Sequence, residues 1–142
     1  MRVLIAGCGY WGSKLAERFA ALCGVDSTYI HDIDESKEHV LIKKYAVPSI
    51  LGSNRPFNLQ GDRTLDAVVI ATPSYTHYEI AKQCLEAGKH VLVEKPMTLD
   101  YAQAAELVEL AQSKKLTLMT DSTFLYSNAI LTRSRFFPNK EG

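Results

Sequence analysis

Apolar residues fall into short runs that polar stretches separate at regular intervals. Val3-Leu4-Ile5-Ala6 is the first run, with no polar position in it, as in a strand buried on both faces. Thr28-Tyr29-Ile30 is the second. Asp66-Ala67-Val68-Val69-Ile70-Ala71 and His90-Val91-Leu92-Val93-Glu94 are the clearest of the later ones, and a last strand is expected over 116–120. A shorter strand is expected near Ser49-Ile50-Leu51, at the head of a loop-rich segment, 49–64, that carries Gly52, Pro56, Asn58 and Gly61. Helical spacing fills the gaps, over 13–22, 35–45, 75–87 and from 99 to about 114. In the third of these helices Ile80, Ala81, Cys84 and Leu85 share a face. In the fourth, Ala104, Ala105, Val108, Leu110 and Ala111 are expected towards the sheet.

The punctuation agrees. Ser36 is expected to help start the second helix, and Pro48 to end that region. Pro73 and Pro96 stop the strands before them because proline has no N–H for a ladder. Gly88 suits a helix C-terminus and Asp100 a helix N-cap. Strands alternating with helices predict an α/β fold: a doubly wound parallel sheet with right-handed crossovers. The expected order is 3-2-1-4-5-6, with a crevice at the carboxyl ends of strands one and four.

Directly after the first strand, Gly7, Gly9 and Gly12 have the spacing G-x-G-x-x-G. Gly7 permits the tight turn out of the strand, Gly9 lets a pyrophosphate approach the backbone, and Gly12 lets helix pack on strand. The helix N-terminus adds free N–H groups and a partial positive charge. Such glycines also occur as turn clusters in other α/β domains. The context favours a dinucleotide, because Asp32 lies about 20 residues beyond Gly12, at the end of the second strand, where a carboxylate would meet the adenosine ribose. Without an adjacent arginine, Asp32 favours NAD over NADP, since it would repel a 2′-phosphate.

Composition narrows the classes. The 142 residues suit one domain, and 46% hydrophobic content suits a globular chain. Sixteen basic and sixteen acidic residues balance, which gives no electrostatic case for nucleic acid or a membrane surface. Cys8, Cys23 and Cys84 are scattered without metal-ligand spacing, so no metal site is expected. With no signal-peptide pattern after Met1 and no membrane-length apolar run, the expectation is a soluble cytoplasmic protein.

Ala71-Thr72-Pro73, His77 and Glu94-Lys95-Pro96 follow strands on the crevice edge. There Lys95 could exchange a proton beside a hydride-transfer site, with Glu94 holding it in place. Desolvation and a cationic nicotinamide would draw its pKa towards a usable range. Spacing alone favours an exposed lysine after a strand with a solvated glutamate, and a His77 satisfied by local hydrogen bonds at a helix start.

These motifs together, from Gly7-Cys8-Gly9-Tyr10-Trp11-Gly12 to Glu94-Lys95-Pro96, resemble the Gfo/Idh/MocA oxidoreductases over residues 1 to about 130. The resemblance implies a Rossmann domain, 1–121, that holds NAD(P) through Gly7, Gly9, Tyr10, Trp11, Gly12, Asp32, Ala71, Thr72, Pro73, His77, Glu94 and Lys95. It implies that Lys95 contacts substrate or assists proton transfer, and that Thr72, Pro73 and His77 line the nicotinamide side. Gly-Tyr-Trp-Gly and Thr123-Phe124-Leu125-Tyr126 look most like the nucleotide-sugar dehydrogenase branch, although Asp121-Ser122 stands where that branch has glycine-histidine. The implied activity is hydride transfer between nicotinamide and a sugar, polyol or nucleotide-sugar carbon. The family's second α/β domain would begin where this chain stops, so residues 122–142 are expected to be a tail at the start of an absent substrate domain. The chain is then a fragment, a short gene product or one half of a two-chain assembly. The alternative is a dinucleotide-binding module without turnover. The tail's Phe124, Tyr126, Phe136 and Phe137 make it the candidate surface for a homo-oligomer or partner chain.

Overall fold

A computed structural model describes residues 1–22, 24–47, 59 and 63–122. In chain order it contains β1 (Arg2–Ala6), α1 (Tyr10–Ala20), β2 (Ser27–His31), α2 (Glu35–Tyr45), β3 (Ala67–Ile70), a single 3₁₀ turn (Ser74–Thr76), α3 (His77–Glu86), β4 (His90–Glu94), α4 (Tyr101–Ser113) and β5 (Leu118–Asp121). The strands are all parallel, in the order β2-β1-β3-β4-β5. Among the described residues this is the expected order without its third member. The strand expected near Ser49-Ile50-Leu51 and the aromatic tail lie outside them.

Two cores sandwich the sheet. Leu4, Val68, Ile70, Val91 and Val93 pack with Ala81, Cys84 and Leu85 of α3 and with Leu107 and Ala111 of α4. Val3, Ile5, Ile30 and Val69 pack on the other face with Ala16 of α1 and Leu41 of α2. The unbroken apolar run in β1 is thus explained, since neighbouring residues face opposite cores and both are dry.

Local chemistry shifts several expected boundaries. Helix α1 starts at Tyr10, not 13, so Gly12 lies inside its first turn. Asp34, not Ser36, caps α2; its carboxylate accepts the Ser36 N–H. That helix ends at Ala46 in the left-handed region, φ 53°, whose N–H reaches the Ile42 carbonyl, two residues before Pro48. Gly88, at φ 78°, sits one residue past the α3 C-cap, and Asp100 caps α4 by accepting the Gln103 N–H. On α4 the buried sheet-facing positions are Leu107 and the expected Ala111; Val108 points outward at 40% exposure. The final strand begins at Leu118 rather than 116.

Strands β1 and β3 are neighbours, but their following helices lie on opposite faces of the sheet. Their carboxyl ends therefore splay apart and leave a crevice.

Candidate functional site

Four segments meet at that crevice: the glycine turn after β1, the turn after β2 and the stretches after β3 and β4. The cavity they enclose is about 490 Å³. Gly7, Gly9, Tyr10, Trp11, Asp32, Ala71, Thr72, Pro73, His77, Glu94 and Lys95 all line it. Gly12 does not. It is buried, and a Cβ there would stand 1.7 Å from the Gly7 carbonyl oxygen. Gly7 itself has φ +95°, and a Cβ would be 2.6 Å from the Ala71 carbonyl oxygen. A Cβ on Gly9 meets no protein atom within 4 Å. The motif thus contains two packing glycines and one that keeps space free.

Gly9 is also the α1 N-cap, with no side-chain cap on the first-turn amides and no acidic residue in that turn. Those donors and the helix dipole favour an anion above Gly9. At the other end, Asp32 Oδ2 accepts the Cys8 N–H at 2.7 Å and Oδ1 accepts the Asp34 N–H at 2.8 Å. A carboxylate has about four lone-pair sites, so each oxygen keeps capacity to accept a hydroxyl. The anion site and the carboxylate share one cleft, which suits the diphosphate and adenosine ribose of a dinucleotide.

Over residues 1–122 the chain matches the GFO_IDH_MocA model, described as an oxidoreductase family with an NAD-binding Rossmann fold. The chain belongs to this family. It is 36% identical over 138 residues to the uncharacterized oxidoreductase YdgJ of Escherichia coli (strain K12), across 92% of this chain and 38% of that protein. It is 32% identical over 122 residues to the UDP-N-acetylglucosamine 3-dehydrogenase of Acidithiobacillus ferrooxidans, across 83% of this chain and 36% of that one. Among solved structures it is similar to GenD2 from gentamicin A biosynthesis in complex with NAD, with a TM-score of 0.85 and 29% identity over 98% of this chain and 39% of that one. The chain therefore spans less than two fifths of the length of these relatives, and its sheet is that of their N-terminal domain.

The second half of this Rossmann cleft is held by His77. The ring is 1% exposed; Nδ1 lies 2.8 Å from the Pro96 carbonyl oxygen and Nε2 2.8 Å from that of Thr72. His77 is therefore more than a locally satisfied helix-start residue. Its imidazole ties the loop after β3 to the loop after β4. Glu94 holds Lys95 through the main chain: its Oε2 accepts the Lys95 N–H at 3.1 Å, and no ion pair joins the two side chains. Lys95 is exposed, so the desolvation expected of it is not supplied by the described residues.

Sequence reasoning missed several cleft residues. Tyr75, Ile33 and Lys37 line it, although they sit outside every motif. Their signal, large apolar groups left exposed at 75% for both Tyr75 and Ile33, exists only in three dimensions. Tyr10 and Trp11 stand edge to face with centroids 5.2 Å apart, and the Lys14 ammonium lies 4.5 Å from the Tyr10 centroid.

Cys8 lies beside the glycines, and its thiol is buried. Burial, then the Asp32 and Glu38 carboxylates, pushes its thiol up to about 12. In the unfolded chain the thiol ionises near ~8.5. Between those values the folded state binds more protons, so stability falls as pH rises. Urea unfolding of the native chain should lose about 1–2 kcal/mol more between pH 8.5 and 10 than that of Cys8→Ala, at up to about 1.4 kcal/mol per pH unit. Parallel curves for the two proteins would refute the shift.

Proposed function

We propose that this chain is the dinucleotide-binding part of an oxidoreductase that moves a hydride between nicotinamide and a hydroxyl-bearing carbon of a sugar, polyol or nucleotide sugar. NAD is the preferred dinucleotide. Gly7, Gly9 and the first-turn amides of Tyr10 and Trp11 hold the diphosphate, and Asp32 holds the adenosine ribose. Ala71, Thr72, Pro73, Glu94 and the His77-tied loops flank the nicotinamide, and Lys95 transfers the proton that accompanies the hydride. Residues 1–121 form this domain, and 122–142 open the substrate domain. The buried free thiols Cys8 and Cys84 suit a reducing, cytoplasmic setting.

The observation that carries the reading is the open face of Gly9, set at an uncapped helix N-terminus in the same cleft as the Asp32 carboxylate. The sugar-like substrate is supported by the named activity of the Acidithiobacillus relative and by the exposed Tyr10–Trp11 rings at the cleft. Calorimetric titration of the purified chain with NAD and NADP, oxidised and reduced, tests it. Saturable NAD(H) binding is expected at least about tenfold tighter than NADP(H), because Asp32 repels a 2′-phosphate. Heatless titrations with all four would sink the reading.

A second reading, a binding module without turnover, is favoured by the exposed Lys95 side chain, which the described residues leave without desolvation or an ion pair to Glu94. NAD binding without NADH formation from any polyol or UDP-sugar would select it.

A further inference from the structure

His31, at the cleft wall, and Glu38, behind it, form a buried polar pair. They are 3% and 1% exposed, and Glu38 Oε1 lies 3.3 Å from His31 Nδ1. A carboxylate in the first turn of α2 loses its water to face the sheet there, a costly placement unless its oxygens are bonded. Its bonds lead to the cleft. The same Oε1 accepts the main-chain N–H of Asp32 at 2.7 Å. The other side of that peptide is held too, since the His31 carbonyl accepts the Gly7 N–H at 2.8 Å. The peptide joining His31 to Asp32 is thereby clamped between the glycine turn and Glu38. The Asp32 carboxylate beyond it is fixed in turn by Cys8 and Asp34.

We infer that Glu38 is a positioning residue for dinucleotide recognition. It sets the height of Asp32 above the glycine turn, and so lets the carboxylate accept both hydroxyls of the adenosine ribose. The inference rests on the dinucleotide reading above. Glu38 touches no ligand; it acts by holding the backbone of the residue that does. Removing it releases the Asp32 peptide on one side, and the carboxylate then loses its fixed distance to a diphosphate seated over Gly9. What is lost is selectivity for an intact ribose rather than affinity in general.

The test compares NADH with its counterpart that lacks the 2′-hydroxyl on the adenosine ribose, each titrated into the full chain by nicotinamide fluorescence. The native chain should bind NADH about tenfold more tightly, the worth of one hydrogen bond to a charged acceptor. In Glu38→Ala the ratio should fall to about twofold or less. Glu38→Gln keeps an oxygen to accept the Asp32 N–H, so its ratio should stay near the native one. A native chain that binds both equally overturns the ribose role of Asp32 and this inference with it. A native chain that discriminates, with a Glu38→Ala variant that loses affinity for both ligands in equal measure, overturns the inference alone and leaves the dinucleotide reading standing. Should the alanine variant fail to fold, the glutamine variant decides: a folded Glu38→Gln that has lost the native ratio refutes the positioning role, and one that retains it supports the role.

Discussion

Gly12→Ala should cost at least about 3 kcal/mol of folding stability, while Gly9→Ala should fold almost as well as the native chain and lose its dinucleotide. The two residues belong to one motif, yet their surroundings differ in kind. A methyl group on Gly12 would stand 1.7 Å from the Gly7 carbonyl oxygen, and that oxygen lies between two bonded amides, Gly7 N–H to the His31 carbonyl and Cys8 N–H to Asp32. Relief requires moving α1 off the sheet, against the packing of Ala16. On Gly9 the methyl meets nothing, at φ −73°, a value any residue adopts. The stability cost of Gly9→Ala should therefore stay within about 1 kcal/mol, that of a poorer N-cap. The methyl instead enters the space reserved for the diphosphate, and NAD affinity should fall about tenfold to a hundredfold. Chemical denaturation and NAD titration of both variants check this. A stable Gly12→Ala, or a Gly9→Ala with native affinity, would contradict the division of labour.

That division also marks what the sequence made legible. Local signals were strong where one residue had one reason. Pro73 could only end a strand, Asp100 could only cap, and the run from Val3 to Ala6 could only be dry on both sides. The strand order of the described part follows from alternation and right-handed crossovers, and the crevice follows from the order. Failures came where two reasons compete. The helix after β1 starts at Tyr10 because tertiary packing overrides the preference of glycine against helices. Ser36 and Asp34 are both good caps, and only coordinates show that Asp34 accepts while Ser36 donates. Val108 and Leu107 are adjacent on α4, and a small error in helical phase exchanges them. Glu38 was invisible because its partners, His31 and the Asp32 amide, come from another element. A buried acid has no pattern of its own in a chain.

Two lysines flank β4, and their contrast frames the other large effect. Lys89 precedes the strand, is 4% exposed and donates from its ammonium to the Leu65 carbonyl at 2.8 Å. Lys95 follows it, is exposed, and among the described residues is held through its main-chain N–H by Glu94. Truncating Lys89 removes a buried hydrogen bond from a charged donor, so Lys89→Ala should lose about 1–3 kcal/mol of stability. Lys95→Ala removes no side-chain bond to the described residues and should melt within a degree or two of native, as surface substitutions do. Its cost is reserved for chemistry. With a sugar or polyol that yields NADH absorbance, Lys95→Ala should lower turnover about 10²–10⁴-fold, the range of a positioned proton donor or acceptor, and leave NAD affinity within about twofold. Added alkylamines should restore part of the rate, because the missing group is a base rather than a brace. Full turnover in Lys95→Ala would remove the lysine from the reaction. Loss of turnover with an equal loss of NAD affinity would make it a binding residue, and proton transfer would then need another group at the carboxyl edge of the sheet.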